Sequence, residues 1–225
     1  MARPKAADHE AQRDRILAAA VRAFSEVGYP SASMAQLALA CGTSKAGLYH
    51  YYPSKEALLF DALDRYTRRL IALARGIQAR ALPPRQTVAE LVRAFVIEYR
   101  SARDHHIALL NDVKFLVAPQ RSVIQAQERA VVAVFAEVLA RGWPERMAGG
   151  LAMPTTMALL GMINFTFAWL RPEGPMSHEQ FAELVIGLWE RGLSGPAVAD
   201  VVAGRPAARP ISSYIQANSK QERPA

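Results

Sequence analysis

The side chains best placed for chemistry lie between Ser33 and Leu58, in SMAQLALACGTSKAGLYHYYPSKEAL. Ser44, Lys45, Tyr49 and His50 fall on one side of a short helix, and Leu48 with Tyr51 or Tyr52 turns inward on the other. Hydroxyls, an ammonium and an imidazole gathered on one exposed face suit contact with a polyanion. Ala46 and Gly47 are small and let the helix backbone approach a surface closely. Lys55 stands in the first turn of the next helix, where the helix dipole prefers an anion. A phosphate would resolve that conflict, because the free N–H groups and the lysine both attract it. A solvated surface lysine is the alternative.

Elsewhere the chain shows no nucleophile–base set, no glycine-rich phosphate loop and no metal-ligand spacing. His105 and His106 are adjacent, so on a helix they point about 100° apart. No carboxylate stands at ligand spacing from them. A ligand-contacting or buried, hydrogen-bonded histidine fits better than a metal site. Cys41, the single cysteine, falls at an inward position and reads as a buried structural thiol, excluding an internal disulfide. The expectation is therefore no metal, no cofactor and no enzymatic activity.

The elements that must position the polar face follow from local signals. Ser33 with Gln36 has capping-box spacing, and Ala35, Leu37, Ala38 and Cys41 supply small or apolar contacts at helical spacing. Gly42 ends that helix in the conformation glycine adopts freely. Thr43 or Ser44 caps the next one. Pro53 stops it at Tyr52, and Ser54 caps a third. Two short helices across a tight turn make a helix-turn-helix, whose second helix enters the major groove by its N-terminal end.

The run from Ser44 to Leu58, SKAGLYHYYPSKEAL, resembles the signature of the TetR family of transcriptional regulators. Arg15–Ala20 and Phe24–Tyr29 resemble the same family's first helix and its end, and the likeness runs without a gap from about Gln12 to Leu63. Tyr52 stands where the family usually has Phe, and its extra hydroxyl is expected to matter little. Gly47 stands where a small or hydroxyl residue is usual, which removes one potential base contact. The resemblance implies a DNA-binding set of Ser33, Thr43, Ser44, Lys45, Ala46, Gly47, Tyr49, His50, Tyr51 and Lys55. Within it Tyr49 and Lys55 contact phosphates, Lys45 and His50 approach base edges or phosphates, Ser44 caps its helix and contacts the backbone, and Ser33 meets phosphate through the N-terminus of its helix.

A formal charge of +7 and a pI near 9.8 agree with a polyanionic partner, although the positive charge is spread along the chain. With 225 residues and 51% hydrophobic content the chain is globular. Its N-terminus has no apolar segment of the secretory kind. Leu151–Leu170 lacks any charge and has the length of a membrane span, but Pro154, Thr155, Thr156, Gly161, Asn164 and Thr166 argue for a helix buried on all sides. No membrane contact and a cytoplasmic location are expected.

The fold class expected is all-α with about nine helices: an N-terminal helix-turn-helix domain of three helices and a helical ligand-binding and dimerisation domain. The boundaries are 1–9 for a flexible arm, 10–56 for the DNA-binding domain, 57–195 for the body and 196–225 for a disordered tail. In the arm, Arg3 and Lys5 could reach phosphates or a minor groove, with a solvated tail as the alternative. The first helix is expected from Asp8 or Glu10 to Val27, with Arg13 near enough to its start to touch a DNA backbone. Ser54–Ala79 reads as a long helix joining the two domains. Further helices are expected at Thr87–Arg103, at His105–Val117 with Asp104 as cap and Pro119 at its exit, at Ser122–Arg141, at Pro154–Leu170 and at Ser177–Arg191, with a short element somewhere in Ser212–Gln221.

One helix pair reads too few base pairs for specificity, so a homodimer on a palindromic operator is expected. Phe167, Phe181, Leu184, Val185, Leu188 and Trp189 are candidates for its interface, with intramolecular core as the alternative. A ligand pocket would draw on Tyr99, His106, Leu110, Asn111, Lys114, Phe115, Met157, Asn164, Phe165 and Trp169, each of which also suits plain core. Lys114 and the basic excess suggest a small hydrophobic or anionic effector such as an acyl-CoA or an aromatic acid. The function expected is a ligand-responsive repressor binding double-stranded DNA; a ligand-independent activator or architectural protein is the alternative.

Overall fold

A computed structural model describes residues 3–194 of the chain, with side chains described between His9 and Leu193. The regular structure of the described residues is all helical, without a strand. The helices are α1 (Arg3–Val27), α2 (Met34–Ala40), α3 (Lys45–Tyr51), α4 (Lys55–Gln78), α5 (Pro84–Ser101), α6 (Arg103–Asp112), α7 (Ala118–Gly142), α8 (Pro144–Met147), α9 (Ala152–Asn164), α10 (Thr166–Trp169) and α11 (His178–Ser194). This agrees with the all-α class and about nine helices expected; among the described residues the short α8 is additional and the predicted 154–170 helix is divided.

The start of the chain differs from expectation. Helix α1 begins at Arg3, so most of the segment assigned to a loose arm belongs to it. The tail at 196–225 and the element at Ser212–Gln221 lie outside the described residues, as do the side chains of Arg3 and Lys5.

The head forms as its local signals dictate. Gly28 (φ +80°) closes α1, its amide donating to the Phe24 carbonyl at 2.9 Å. Ser33 and Gln36 make the full capping box, and Gly42 (φ +63°) turns the chain into α3. The Ser44 hydroxyl accepts from the Gly47 amide at 3.0 Å, and the Ser54 hydroxyl accepts from Ala57 at 3.2 Å. Ile16, Ala20, Phe24, Leu37, Leu48 and Leu58 are buried together beneath these turns.

Helix α4 carries the head into the body. Its 24 residues span about 36 Å at 1.5 Å per residue. Leu59, Leu63, Tyr66, Leu70, Ala74 and Ile77 bury its inner face, chiefly against α7. Helix α5 packs between α7 and α11, around Phe95 and Phe135, whose rings meet edge to face at 5.0 Å. A second joint links the domains: α1 packs on α6, and the Tyr29 ring after α1 stacks on Phe115 at 5.0 Å.

Proline accounts for most differences in the body. Pro84 opens α5 three residues before the expected start, and Pro119 lies in the first turn of α7 and does not end α6. Both are places where a missing N–H costs nothing. Asp104 is inside α6, and Ala102 holds the cap position. Helix α6 ends at Asp112 and passes into a 3₁₀ turn at Val113–Phe115.

The predicted 154–170 helix breaks at Phe165. His106 Nε2–H donates to the Asn164 carbonyl at 2.9 Å, where a continuous helix would place the Ala168 amide. That amide bonds instead to the Phe165 carbonyl at 3.1 Å, and the Thr166 hydroxyl donates to Ile163. Within the single chain one side of the segment is left open: Met153, Met157, Phe165 and Trp169 are exposed. No described helix is long and apolar enough to cross a membrane.

Candidate nucleic-acid interface

Helix α3 is two-sided. Leu48 is fully buried, while Ser44, Lys45, Ala46, Tyr49 and His50 are exposed and form one continuous face. Lys45 Nζ lies 6.0 Å from the Tyr49 ring, so cation and phenol share one patch. Tyr51 is half-buried, stacked on His9 of α1 at 4.8 Å and meeting His50 edge-on. Thr43 is half-buried beside Gly47, and a Cβ at Gly47 would lie 2.5 Å from Thr43 Oγ1. Gly47 therefore leaves room for the Thr43 side chain at the mouth of the helix.

The Ser33 hydroxyl accepts from the Gln36 amide and donates to Gln36 Oε1 at 2.8 Å, so its side chain is used within the cap. Ala35, expected inward on α2, is exposed. Cys41 is half-buried with its thiol against the Ile16 carbonyl, and burial raises its pKa.

Lys55 has a different setting from the one its dipole conflict suggested. Its ammonium donates to the carbonyls of Tyr29, Pro30 and Ala32, each at 3.1 Å, and sits 4.6 Å above the Tyr29 ring. An ammonium has three N–H donors, and all are engaged. The cation is held by the turn between α1 and α2, and a phosphate would have to displace those bonds. Lys55 is a positioning residue that joins α4 to that turn.

The Tyr52 hydroxyl, expected to matter little, is a junction between helices. It donates to Asp61 of α4 at 2.5 Å and accepts from Arg13 Nε of α1 at 3.1 Å. Arg13 also pairs with Asp61 at 3.1 Å, which ties it inside the head and away from the DNA backbone role expected for it. Arg65 extends the network to Asp61, Asp14 and Glu10. Burial and the Asp61 hydrogen bond hold the Tyr52 phenol above its ordinary pKa. The hydrogen bond from Tyr52 was invisible in sequence because its partners stand 39 and 9 residues away.

The residues proposed for a pocket separate in the structure. Tyr99 and His106 are buried and stacked at 3.7 Å, and Leu110 and Asn164 are half-buried. Asn111, Lys114, Phe115, Met157, Phe165 and Trp169 are exposed and line no common cavity. The residues proposed for an interface divide as well: Leu184 and Leu188 are exposed, Trp189 and Phe167 are half-buried, and Phe181 and Val185 belong to the core. Phe167 lines a cavity of about 100 Å³ with Tyr99, Arg100, Arg103, Leu170 and His178, a set only partly foreseen. Burial lowers the His106 pKa to about 4, so its ring is neutral. Among the described residues no three metal-ligating side chains come together.

A polar helix face over a closed three-helix head agrees with the matches to known families. Residues 16–62 match the bacterial regulatory proteins of the tetR family, and residues 81–193 match the tetracyclin repressor-like C-terminal domain. The chain belongs to the TetR family of transcriptional regulators. A TetR-family regulator of Bordetella parapertussis superposes with a TM-score of 0.75 at 30% identity, over 85% of this chain and 98% of that one. The transcriptional activator FasR of Mycolicibacterium smegmatis is 27% identical over 81% of this chain and 83% of its own length. AibR, solved with isovaleryl coenzyme A and operator DNA, shares the fold at 24% identity and a TM-score of 0.72, over 79% of this chain and 97% of its own. Of the Bacillus subtilis regulator YerO, 26% identical, the matched stretch covers only 36%. TetR-family regulators bind DNA, and these relatives are regulators and not enzymes.

Proposed function

We propose that the chain is a ligand-responsive repressor that binds a palindromic operator as a homodimer, with a DNA-binding head over residues 10–56 and a controlling body over 57–195. The observation that carries the dimer is an exposed apolar stripe. Met153, Met157, Gly161 and Phe165 follow one another at four-residue spacing, Trp169 continues the row, and Leu184 and Leu188 stand exposed on α11 beside it. Apolar patches of this kind mark interaction sites, and Gly161, with nothing near its Cβ position, admits close approach of a second helix. A two-fold axis through that face sets two α3 helices to read half-sites about 34–36 Å apart.

On the DNA, Lys45, Tyr49 and His50 meet phosphates or base edges and Ser44 holds the helix end. Thr43, Ala46 and Gly47 allow the backbone close, Ser33 offers the start of α2, and Tyr51 and Lys55 support the reading helix. The effector is a small hydrophobic or anionic molecule. It shifts operator binding only by its difference in affinity between the two states of the body. A regulator working on chromosomal DNA acts in the cytoplasm. The likeness to FasR, a named activator, keeps an activator as the second reading.

A mobility-shift titration of promoter-region DNA tests the proposal. Salt-dependent preference for a palindrome, with two chains per duplex, supports it. Equal affinity for unrelated DNA would sink it.

A further inference from the structure

The cavity of about 100 Å³ between the end of α5, the start of α6, α10 and the start of α11 is built from two unlike parts. Its walls are the Tyr99 and Phe167 rings with Leu170, and its mouth carries the guanidinium groups of Arg100 and Arg103. The two cations are not equivalent. Arg100 is paired with Glu179 at 2.9 Å, whereas Arg103 makes only long contacts, 3.4 Å to the Phe167 carbonyl and 3.8 Å to Asp104. Arg103 is thus the cation with unused donors above an aromatic slot. His178, also at the wall, is buried and its pKa is lowered by that burial, so it offers a neutral ring.

We propose that this cavity binds a small organic anion: one aromatic ring or a short branched acyl chain attached to an acidic head, the head held by Arg103. The proposal rests on the ligand-responsive reading and names the effector's class. It replaces Lys114, whose ammonium lies against its neighbour Phe115 at 5.3 Å, as the cation that would receive an anionic ligand. Size limits the apolar part. An apolar cavity of ~150 Å³ binds benzene, and this one, at about 100 Å³, is smaller, so it takes a short branched chain or the inner part of a single ring and excludes a steroid or a long fatty chain.

His106 is the positioning residue of the site. It stacks on Tyr99 at 3.7 Å and holds the Asn164 carbonyl at 2.9 Å, the point where α9 breaks and α10 begins. One buried ring therefore sets both walls, and through the break it also sets Phe165 and Trp169 on the apolar stripe. His106 Nδ1 and Asn164 Oδ1 are buried without a hydrogen-bond partner, which is uncommon in native interiors.

The test uses the full chain and calorimetric titration with benzoate, phenylacetate and isovalerate, each as free acid and as coenzyme A thioester. Benzamide and benzyl alcohol serve as neutral controls. At least one anion is expected to bind, with the neutral controls about tenfold or more weaker, and Arg103→Gln should weaken it about 10- to 100-fold. The Arg103 side chain is 55% exposed, so this substitution leaves the core intact. Arg129→Gln, on an exposed part of α7, should change nothing. Binding of the acid alone assigns the head to a carboxylate, and binding of the thioester alone assigns it to the phosphates of the coenzyme; either supports the proposal. No binding in either series by protein that still binds its operator, or equal binding by Arg103→Gln, overturns it. Arg103-dependent binding that leaves operator affinity unchanged keeps the site and removes the ligand-responsive reading.

Discussion

In the head, the side chains that meet solvent on α3 are Ser44, Lys45, Tyr49 and His50, and Leu48 beneath them is sealed in the core. In the body, the side chains that meet solvent along α9, α10 and α11 include Met153, Met157, Phe165, Trp169, Leu184 and Leu188. The head is therefore finished as a single chain, with its exposed surface ready for a polyanion, while the body presents an apolar face that a second copy would cover. Tyr52, Arg13, Asp61 and Arg65 bind α1 and α4 into one unit. Buried polar atoms without a partner occur in both regions, the Tyr29 hydroxyl in the head and His106 Nδ1, Asn164 Oδ1 and the Tyr66 hydroxyl in the body.

The largest effect is expected on the body's open face. Met157→Glu combined with Leu188→Glu should leave the helical content unchanged, give a monomer in sedimentation, and lower the preference for the operator on the order of 10³-fold, toward non-specific binding. A dimer that survives both charges would place the interface elsewhere.

The head's two lysines should behave oppositely. Lys45→Ala is expected to reduce the slope of log K against log salt by about one, as loss of a phosphate contact does. Lys55→Ala should leave that slope unchanged and destabilise the fold by about 1–3 kcal/mol, because three carbonyls lose a charged donor. A reduced slope for Lys55→Ala would return this residue to the phosphate contacts.

Between head and body stands Asp112, buried at the end of α6 near Tyr29, with its pKa raised to about 6 by burial and only partly offset by Lys114. A raised carboxyl pKa means the native state holds the proton more tightly, so stability falls as pH rises from about 4 toward 6. Asp112→Asn should therefore stabilise the protein by about 1–2 kcal/mol at pH 7 and by nothing measurable at pH 4. Denaturant unfolding at the two pH values checks this, and a pH-independent difference would contradict it.

Tyr52→Phe should be milder, destabilising the fold by about 0.5–1 kcal/mol, since Asp61 keeps Arg13 and Arg65 as partners. Operator binding at 25 °C should persist. A null effect would restore the view that the hydroxyl is incidental.

What the sequence made legible is what neighbours in the chain decide. The Ser33–Gln36 box, the turn at Gly42, the Ser44 cap and the stop at Pro53 act across a few residues, and each forms as read. The bonds of Lys55 and Tyr52 are not legible in the sequence because their partners lie in α1, in the turn that follows it and in α4. The break in the 154–170 helix comes from His106, 58 residues away. At that break Phe165 and Trp169 face out while Phe167 of α10 lines the cavity. Apolar residues on every side of a segment show that all sides need cover; they do not show which side the chain itself supplies.

The most direct test is sedimentation of the full chain with two duplexes from its promoter region, one holding the whole palindrome and one a single half-site. The account predicts two chains on the whole site and at least 10²-fold weaker binding to the half-site, as coupling of two linked heads implies. One chain per palindrome, or equal affinity for both duplexes, would contradict it.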